Sequence, residues 1–337
     1  MRHASALLFV LLLLRCLPGA AAEEAFTYTV TEVTGCEQAD AAYDRFYQSG
    51  EPGVLIPGLL QGLVPQGITW IEADQALLFA GYRGDRGSSA LLEVDAVTGE
   101  LLREVRLQNR DGSVYNGHAG GVCATERAIY LSNNHHLYRI SMETFLALPA
   151  SADCSFEEEI PVPVNASFCC WDGALLWVGE FQYGLQYLTD AGHRVESADG
   201  PQQAWICAYA ETADGLAEAP ACVLSVTERI QGITLRRNSV YLSQSYGRRN
   251  TAMLYRYDNV TGSEADGEVT VAGQAVPLYV LDSLRLSDSL ACPPMTECLC
   301  TVEDAVLVLF ESAAVSYRDP WNPSRNPMDR VFRLTGF

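Results

Sequence analysis

Short apolar runs separated by turns recur along this chain in one form: a polar start, an apolar strand, a tight turn and a second apolar strand. Gln66-Gly67-Ile68-Thr69-Trp70 precedes Ala76-Leu77-Leu78-Phe79, and Gly120-Gly121-Val122-Cys123-Ala124 precedes Ala128-Ile129-Tyr130-Leu131. Ser167-Phe168-Cys169-Cys170-Trp171 precedes Leu175-Leu176-Trp177-Val178, and Gln231-Gly232-Ile233-Thr234-Leu235 precedes Val240-Tyr241-Leu242. The last copy is Glu297-Cys298-Leu299-Cys300-Thr301 before Ala305-Val306-Leu307-Val308-Leu309. The starts fall at 66, 120, 167, 231 and 297, roughly 50 to 65 residues apart,. A period of that size with several strands in each unit predicts the blades of a β-propeller.

Each period holds about four strands, rich in β-branched and aromatic residues and punctuated by Gly, Asp and Asn,. The pattern predicts an all-β propeller of five blades, with six as the alternative if residues 38–65 hide a degenerate repeat. Blade four is expected to end on a strand at 276–281. Blade five is one strand short. Residues 27–33 alternate like a strand and are predicted to supply the missing edge and close the ring, which would hide an open sheet edge,. Residues 41–47 read as a helix that caps one face.

The first residues carry a different signal. Arg2 and His3 precede an apolar run at 4–14, which is shorter than the ~20 residues a bilayer span needs,. Ala20-Ala21-Ala22 then offers small residues for cleavage. Residues 1–22 are therefore expected to be a removable secretory signal, with one propeller domain over 23–337 and a secreted or extracytoplasmic location.

Charge narrows the chemistry. Net charge is −20, and all 22 basic residues are Arg. Without Lys there is no Schiff-base or P-loop chemistry, and the acidity argues against nucleic acid and anionic membranes as partners. The cysteines are scattered, without structural zinc spacing,. Cys123, Cys170 and Cys300 hold equivalent positions in different blades. Packed sheets stand about 10 Å apart and a disulfide needs Cα atoms within about 7 Å, so these three are expected to be buried thiols. Cys207 with Cys222, and Cys292 with Cys298, are the better candidates for disulfides.

In a propeller, the start of each innermost strand and the end of the next strand meet at one mouth of the central channel. The polar residues predicted there are Gln66, His118, Asn133, Ser167, Glu180, Gln231, Gln244, Glu297 and Glu311. Crowded carboxylates repel unless a cation or a proton intervenes. Glu180, Glu297 and Glu311 would suit a hard cation such as calcium. Carboxylates and amides beside Trp70, Trp171 and Tyr246 would suit a sugar or another polar small molecule. The same groups would also serve simply to cap strands and hold water. Ser167 with His118 has the residue types of a nucleophile and base but lacks a Gly-x-Ser-x-Gly elbow.

The Gln66–Trp70 and Gln231–Leu235 starts, the Pro293-Pro294-Met295-Thr296-Glu297 start and the Phe310-Glu311-Ser312-Ala313 end resemble those of gluconolactonase, strictosidine-synthase and arylesterase-like propellers. They are more similar still to secreted bacterial propellers of uncharacterised function. The resemblance to the enzymes implies a ring of six blades around a calcium held by Glu, Asn and Asp, whereas this chain has five clear repeats and no Asp at the expected mouth. Two functions follow as expectations. One is a secreted propeller that binds a small polar ligand or cell-surface partner at its channel mouth. The other is a calcium-assisted hydrolase of a lactone or ester.

Overall fold

The repeated hairpins pair as their alternating apolar residues require. In a computed structural model that describes residues 26–36, 40–213 and 215–337, the first repeat folds Leu63–Ile71 antiparallel to Ala76–Arg83, with Gln75 at φ 51° in the turn. Ala90–Asp95 and Leu101–Gln108 follow on its outer side, and Ser151–Ser155 adds a parallel edge. The expected leader and its cleavage site lie outside the described residues.

The remaining repeats are built on the same plan but not to the same size. Gly121–Ala124, Ala128–Asn133, His136–Ser141 and Glu158–Pro161 form one four-stranded sheet. Ile230–Arg236, Ser239–Gln244, Ala252–Asp258 and Leu286–Cys292 form another. Between them in the chain, Ala166–Trp171, Leu175–Glu180, Ala204–Thr212 and Cys222–Val226 are extended by the hairpin Gly267–Val271 and Gln274–Val280, which docks parallel to Cys222–Val226. The last sheet runs Thr296–Val302, Ala305–Phe310, Arg330–Leu334 and Gly50–Leu55.

The expected architecture is corrected here. The fold is an all-β propeller, but neither five blades closed by an N-terminal strand nor six describes it. Among the described residues three sheets hold four strands, one holds five, one holds seven once the short strand Gly215–Leu216 on Ala204–Thr212 is included, Val195–Ser197 and Gly200–Gln202 form a separate pair, and no sheet is closed on itself by hydrogen bonds. Residues 27–33 form no strand. The edge they were expected to fill is taken by Gly50–Leu55, with Gly50 opposite Leu334 and Leu55 opposite Arg330. The segment from 27 is instead a strap: Thr27 and Tyr28 donate to Glu104, Val33 donates to Asp329, and Thr29 accepts from Gly58. The strand expected at 276–281 belongs to the neighbouring sheet, and Leu286–Cys292 takes its place. The predicted cap at 41–47 is a turn of 3-10 helix followed by Asp44–Gln48.

Innermost strands pack side by side around the axis: Leu63–Ile71 on Gly121–Ala124, then Ala166–Trp171, Ile230–Arg236, Thr296–Val302 and back to Leu63–Ile71. Their approach explains the repeated Gln-Gly. A Cβ on Gly67 would stand 2.5 Å from the Val122 nitrogen, and one on Gly232 would stand 2.7 Å from the Cys298 Cα. Such distances are closed to any side chain, so glycine here permits the sheets to meet. Among the described residues no helix is long and apolar enough to cross a membrane.

Cys123, Cys170 and Cys300 are buried thiols, and burial pushes the Cys300 thiol up to about 12. Neither expected disulfide is present. Cys207 faces Val223 and Cys222 faces Ala208, so the two cysteines are one position out of register and their side chains lie on opposite faces of the sheet,. Cys292 is instead 3.4 Å from the Thr296 hydroxyl. Thiol alkylation followed by mass spectrometry checks this arrangement. The nine buried cysteines are expected to resist alkylation in the native protein and to react after denaturation,. A native disulfide joining any two of Cys123, Cys170 and Cys300, or Cys207 to Cys222, would contradict the register.

Candidate functional site

A bulge at the start of an innermost strand aims each polar residue at the channel. The register slips between Pro65 and Gly67, between Ala166 and Phe168, between Ile230 and Gly232, and between Thr296 and Leu299. The residues left in these gaps include Gln66, Ser167, Gln231 and Glu297. A bulged residue is released from strict alternation and can be turned toward a site. The neighbouring strands contribute by parity. Gly81, Glu180, Gln244 and Phe310 pair across from Pro65, Ala166, Ile230 and Thr296, whereas the next residues, Tyr82, Phe181, Ser245 and Glu311, face the channel.

These residues surround a cavity of ≈ 530 Å³ at one mouth. Gln66, His118, Asn133, Ser167, Gln231, Glu297 and Glu311 all line it, as expected from the repeats. Glu180 and Gln244 do not, because both stand one position short of the residue that faces inward. Glu180 turns into its own sheet, where it meets His193 Nδ1 at 2.9 Å and accepts from the Asn165 and Trp205 backbone nitrogens at 3.0 Å each. Gln244 donates to the Glu228 carbonyl and accepts from the Tyr255 hydroxyl. Trp70 and Trp171, expected beside the carboxylates, lie at the far ends of their strands, one residue before the last and at the last, and stand at the opposite mouth.

At the foot of the cavity, Glu297 and Glu311 hydrogen-bond to one another. Gln66 Nε2 donates to Glu311 at 2.9 Å, and Gln231 Nε2 donates to Glu297 at 3.2 Å. Tyr317 also bonds Glu311 and stands 3.2 Å from the Tyr82 hydroxyl. Burial raises the Glu297 carboxyl well above the usual range, and the neighbouring Glu311 charge raises it further. Burial also pushes Glu311 up to about 7, against the hydrogen bonds from Tyr317, Glu297 and Gln66 and the charge of Arg248. Two contacting carboxyls in a low-dielectric setting hold one proton between them rather than ionise together.

The walls are aromatic and amide. Tyr82 stacks on His118 with ring centroids 4.7 Å apart, and burial lowers the His118 pKa, so this imidazole is neutral near pH 7,. Phe181, Tyr187 and Tyr246 line another side, and Arg248 stands over the Tyr317 ring. Ser167 donates to the Asn165 carbonyl and accepts from the Phe181 nitrogen, so its hydroxyl is not bonded to His118 as a nucleophile would be to its base. Among the described residues the buried Ser245 hydroxyl has no protein partner beside this cavity.

Among the described residues no group of three or more His, Cys, Asp or Glu is gathered as a metal cluster. The calcium implied by the enzyme resemblance has only two of the three expected carboxylates at this mouth, and those two bond to one another. The residues fit a shared proton better than a calcium ion. Sequence reasoning missed Tyr317, Arg248 and Tyr187, which come from loops outside the repeat. The parity of the second strand could have selected Phe181 and Ser245 over Glu180 and Gln244.

No protein-family model matches the chain, and no curated protein matches it. Solved structures are similar at low identity. Glutaminyl cyclase from Myxococcus xanthus matches with 10% identity and a TM-score of 0.42 over 84% of this chain and 92% of its own. Exo-β-1,3-galactanase from Phanerochaete chrysosporium matches with 9% identity and a TM-score of 0.46 over 85% and 69%. A GH43_1 enzyme from Xanthomonas citri matches with 10% identity and a TM-score of 0.43 over 88% and 92%. The gluconolactonase, strictosidine-synthase and arylesterase groups are not singled out.

Proposed function

We propose that the mouth formed by Gln66, Gln231, Glu297 and Glu311 binds a small polar molecule that carries hydroxyl or amino groups. The observation that supports this is the adjacent Glu297 and Glu311 carboxyls, each held by a glutamine amide, at the foot of an amide-lined cavity. A carboxyl and a carboxylate side by side can both donate to and accept from one ligand. The Gln66, Gln231 and Asn133 amides extend that capacity around the ring, and the aromatic wall suits the apolar face of a sugar-like ring. The cavity lies within the size range of small-ligand sites.

The same pair supports a second reading, hydrolysis of a lactone or ester. A carboxyl that titrates near neutral pH beside a carboxylate can give and take a proton in the working range of an enzyme,. Thermal unfolding against a panel of sugars, polyols, amino sugars and lactones distinguishes the outcomes. At about 100 times its Kd a true ligand stabilises by about 2.7 kcal/mol. That response is expected in the unaltered protein and should disappear in Glu297→Gln. Turnover of a lactone or ester, lost in the same variant, would favour the hydrolase. A melting response to millimolar calcium, lost in Glu297→Gln, would assign the mouth to a divalent cation instead. If the panel gives no response, or the variant responds unchanged, the binding proposal fails.

A further inference from the structure

The innermost strands all run the same way, so their ends build a second mouth as surely as their starts build the first. Trp70, Ala124, Trp171, Leu235 and Thr301 stand at those ends around a separate cavity of ≈ 610 Å³. Gln66 and Trp70 are four residues apart on one strand, which places the two mouths roughly 13 Å apart. Small side chains occupy the ring between them: the Thr234 hydroxyl lies 2.9 Å from that of Thr301 and 3.7 Å from the Cys170 sulfur.

The chemistry of this second mouth differs from that of the first. Its floor and walls are largely apolar and aromatic, with Thr69, Thr125 and Thr301 among them: Trp70 and Trp171 are half-buried, and Met142 and Leu146 of the short helix Met142–Leu146 complete one side. Its rim is acidic. Glu72 accepts from the Trp70 indole at 2.7 Å and so fixes that ring. Asp172 accepts from the Trp177 indole and from the Ala174 and Leu175 nitrogens, all neutral donors. Glu126 is exposed on the rim. No Arg lines the cavity, and none of the three carboxylates is in an ion pair among the described residues. Three uncompensated negative charges around two indole faces attract a cation twice over, through the rim charge and through the ring quadrupoles. The apolar floor asks for an apolar body behind that charge, and the rim disfavours an anion of the same shape.

We propose that this opposite mouth is a second binding site, which takes a small organic cation with an aromatic body. The probe is 2-phenylethylammonium, with 2-phenylethanol and phenylacetate as its neutral and anionic counterparts. Binding is followed by calorimetry and by tryptophan fluorescence. The ammonium is expected to bind at least about 10-fold more tightly than phenylacetate, and to weaken with added salt. Trp171→Leu and the pair Glu72→Gln/Glu126→Gln are each expected to weaken it roughly 5- to 30-fold. Glu297→Gln, at the other mouth, should leave it unchanged. Phenylacetate binding as tightly as the ammonium would overturn the proposal, as would no binding of the ammonium. So would loss of binding in Glu297→Gln with retention in the rim variants, which would place the probe at the first mouth. Should Trp171→Leu fail to fold, the exposed Glu72→Gln/Glu126→Gln pair decides by itself.

Discussion

At pH 8, Glu311→Gln is expected to melt about 3 to 6 °C above the unaltered protein, and at pH 4.5 no higher. The sign follows from the proton count. The Glu311 carboxyl titrates at about 7 in the folded chain against an ordinary value of 4.5. Below 4.5 both the folded and unfolded chains hold the proton and the group has no net effect. Between 4.5 and 7 the folded state retains a proton that the unfolded chain has released, so stability falls as pH rises. Above 7 the cost is complete, on the order of 2 to 3 kcal/mol once the water in the open cavity is allowed for. Glutamine cannot ionise, keeps an oxygen for the Gln66 amide and offers its own amide to Glu297. It therefore removes the cost of a buried charge without leaving Gln66 unpaired. Calorimetric melting of both proteins from pH 4.5 to 8 measures the difference. A shift that is equal at all pH values, or a loss at pH 8, would mean that the two carboxyls do not share a proton.

That expectation could be framed from sequence only in part. The polar starts at Gln66, Gln231 and Glu297 were legible because a recurring polar residue ahead of an apolar strand is improbable unless it faces a common site. The ends of the second strands were harder. One position separates a residue that faces the channel from one that faces its own sheet, and Glu180 and Gln244 fall on the wrong side of that division while Glu311 falls on the right one. Parity needs a register, and the register is set by bulges that leave no mark in composition. Trp70 and Trp171 were assigned to the wrong mouth because their strands are long enough to reach the other end of the ring. The alternation at 27–33 is real, yet competition decides pairing. Gly50–Leu55 occupies the edge beside Arg330–Leu334, and the earlier segment is caught by carboxylates instead.

The carboxylate that matters most in that capture gives the largest expected loss. Glu104→Ala should destabilise the protein by about 3 to 5 kcal/mol. Glu104 is completely buried, and its two oxygens are fully used: one accepts from the Thr27 and Tyr28 nitrogens at 2.7 and 3.0 Å, and the other pairs with Arg106 at 3.1 Å. Alanine would strand the buried Tyr28 nitrogen without an acceptor and leave Arg106 with Asp153 and the Ser151 hydroxyl as its remaining partners,. The damage would spread, because Tyr28 is itself packed beside Gly58, Leu63 and Leu92, where the strap meets the first sheet. Glu104→Gln keeps one acceptor for the backbone nitrogens and loses only the charge, so it should cost less, about 1 to 3 kcal/mol. Urea unfolding measures both losses, and amide exchange at 27–33 locates them: protection there should fall in Glu104→Ala before the rest of the sheet loosens. Equal losses in the two variants, or unchanged exchange at 27–33 in Glu104→Ala, would show that the strap is held by apolar packing and not by this carboxylate.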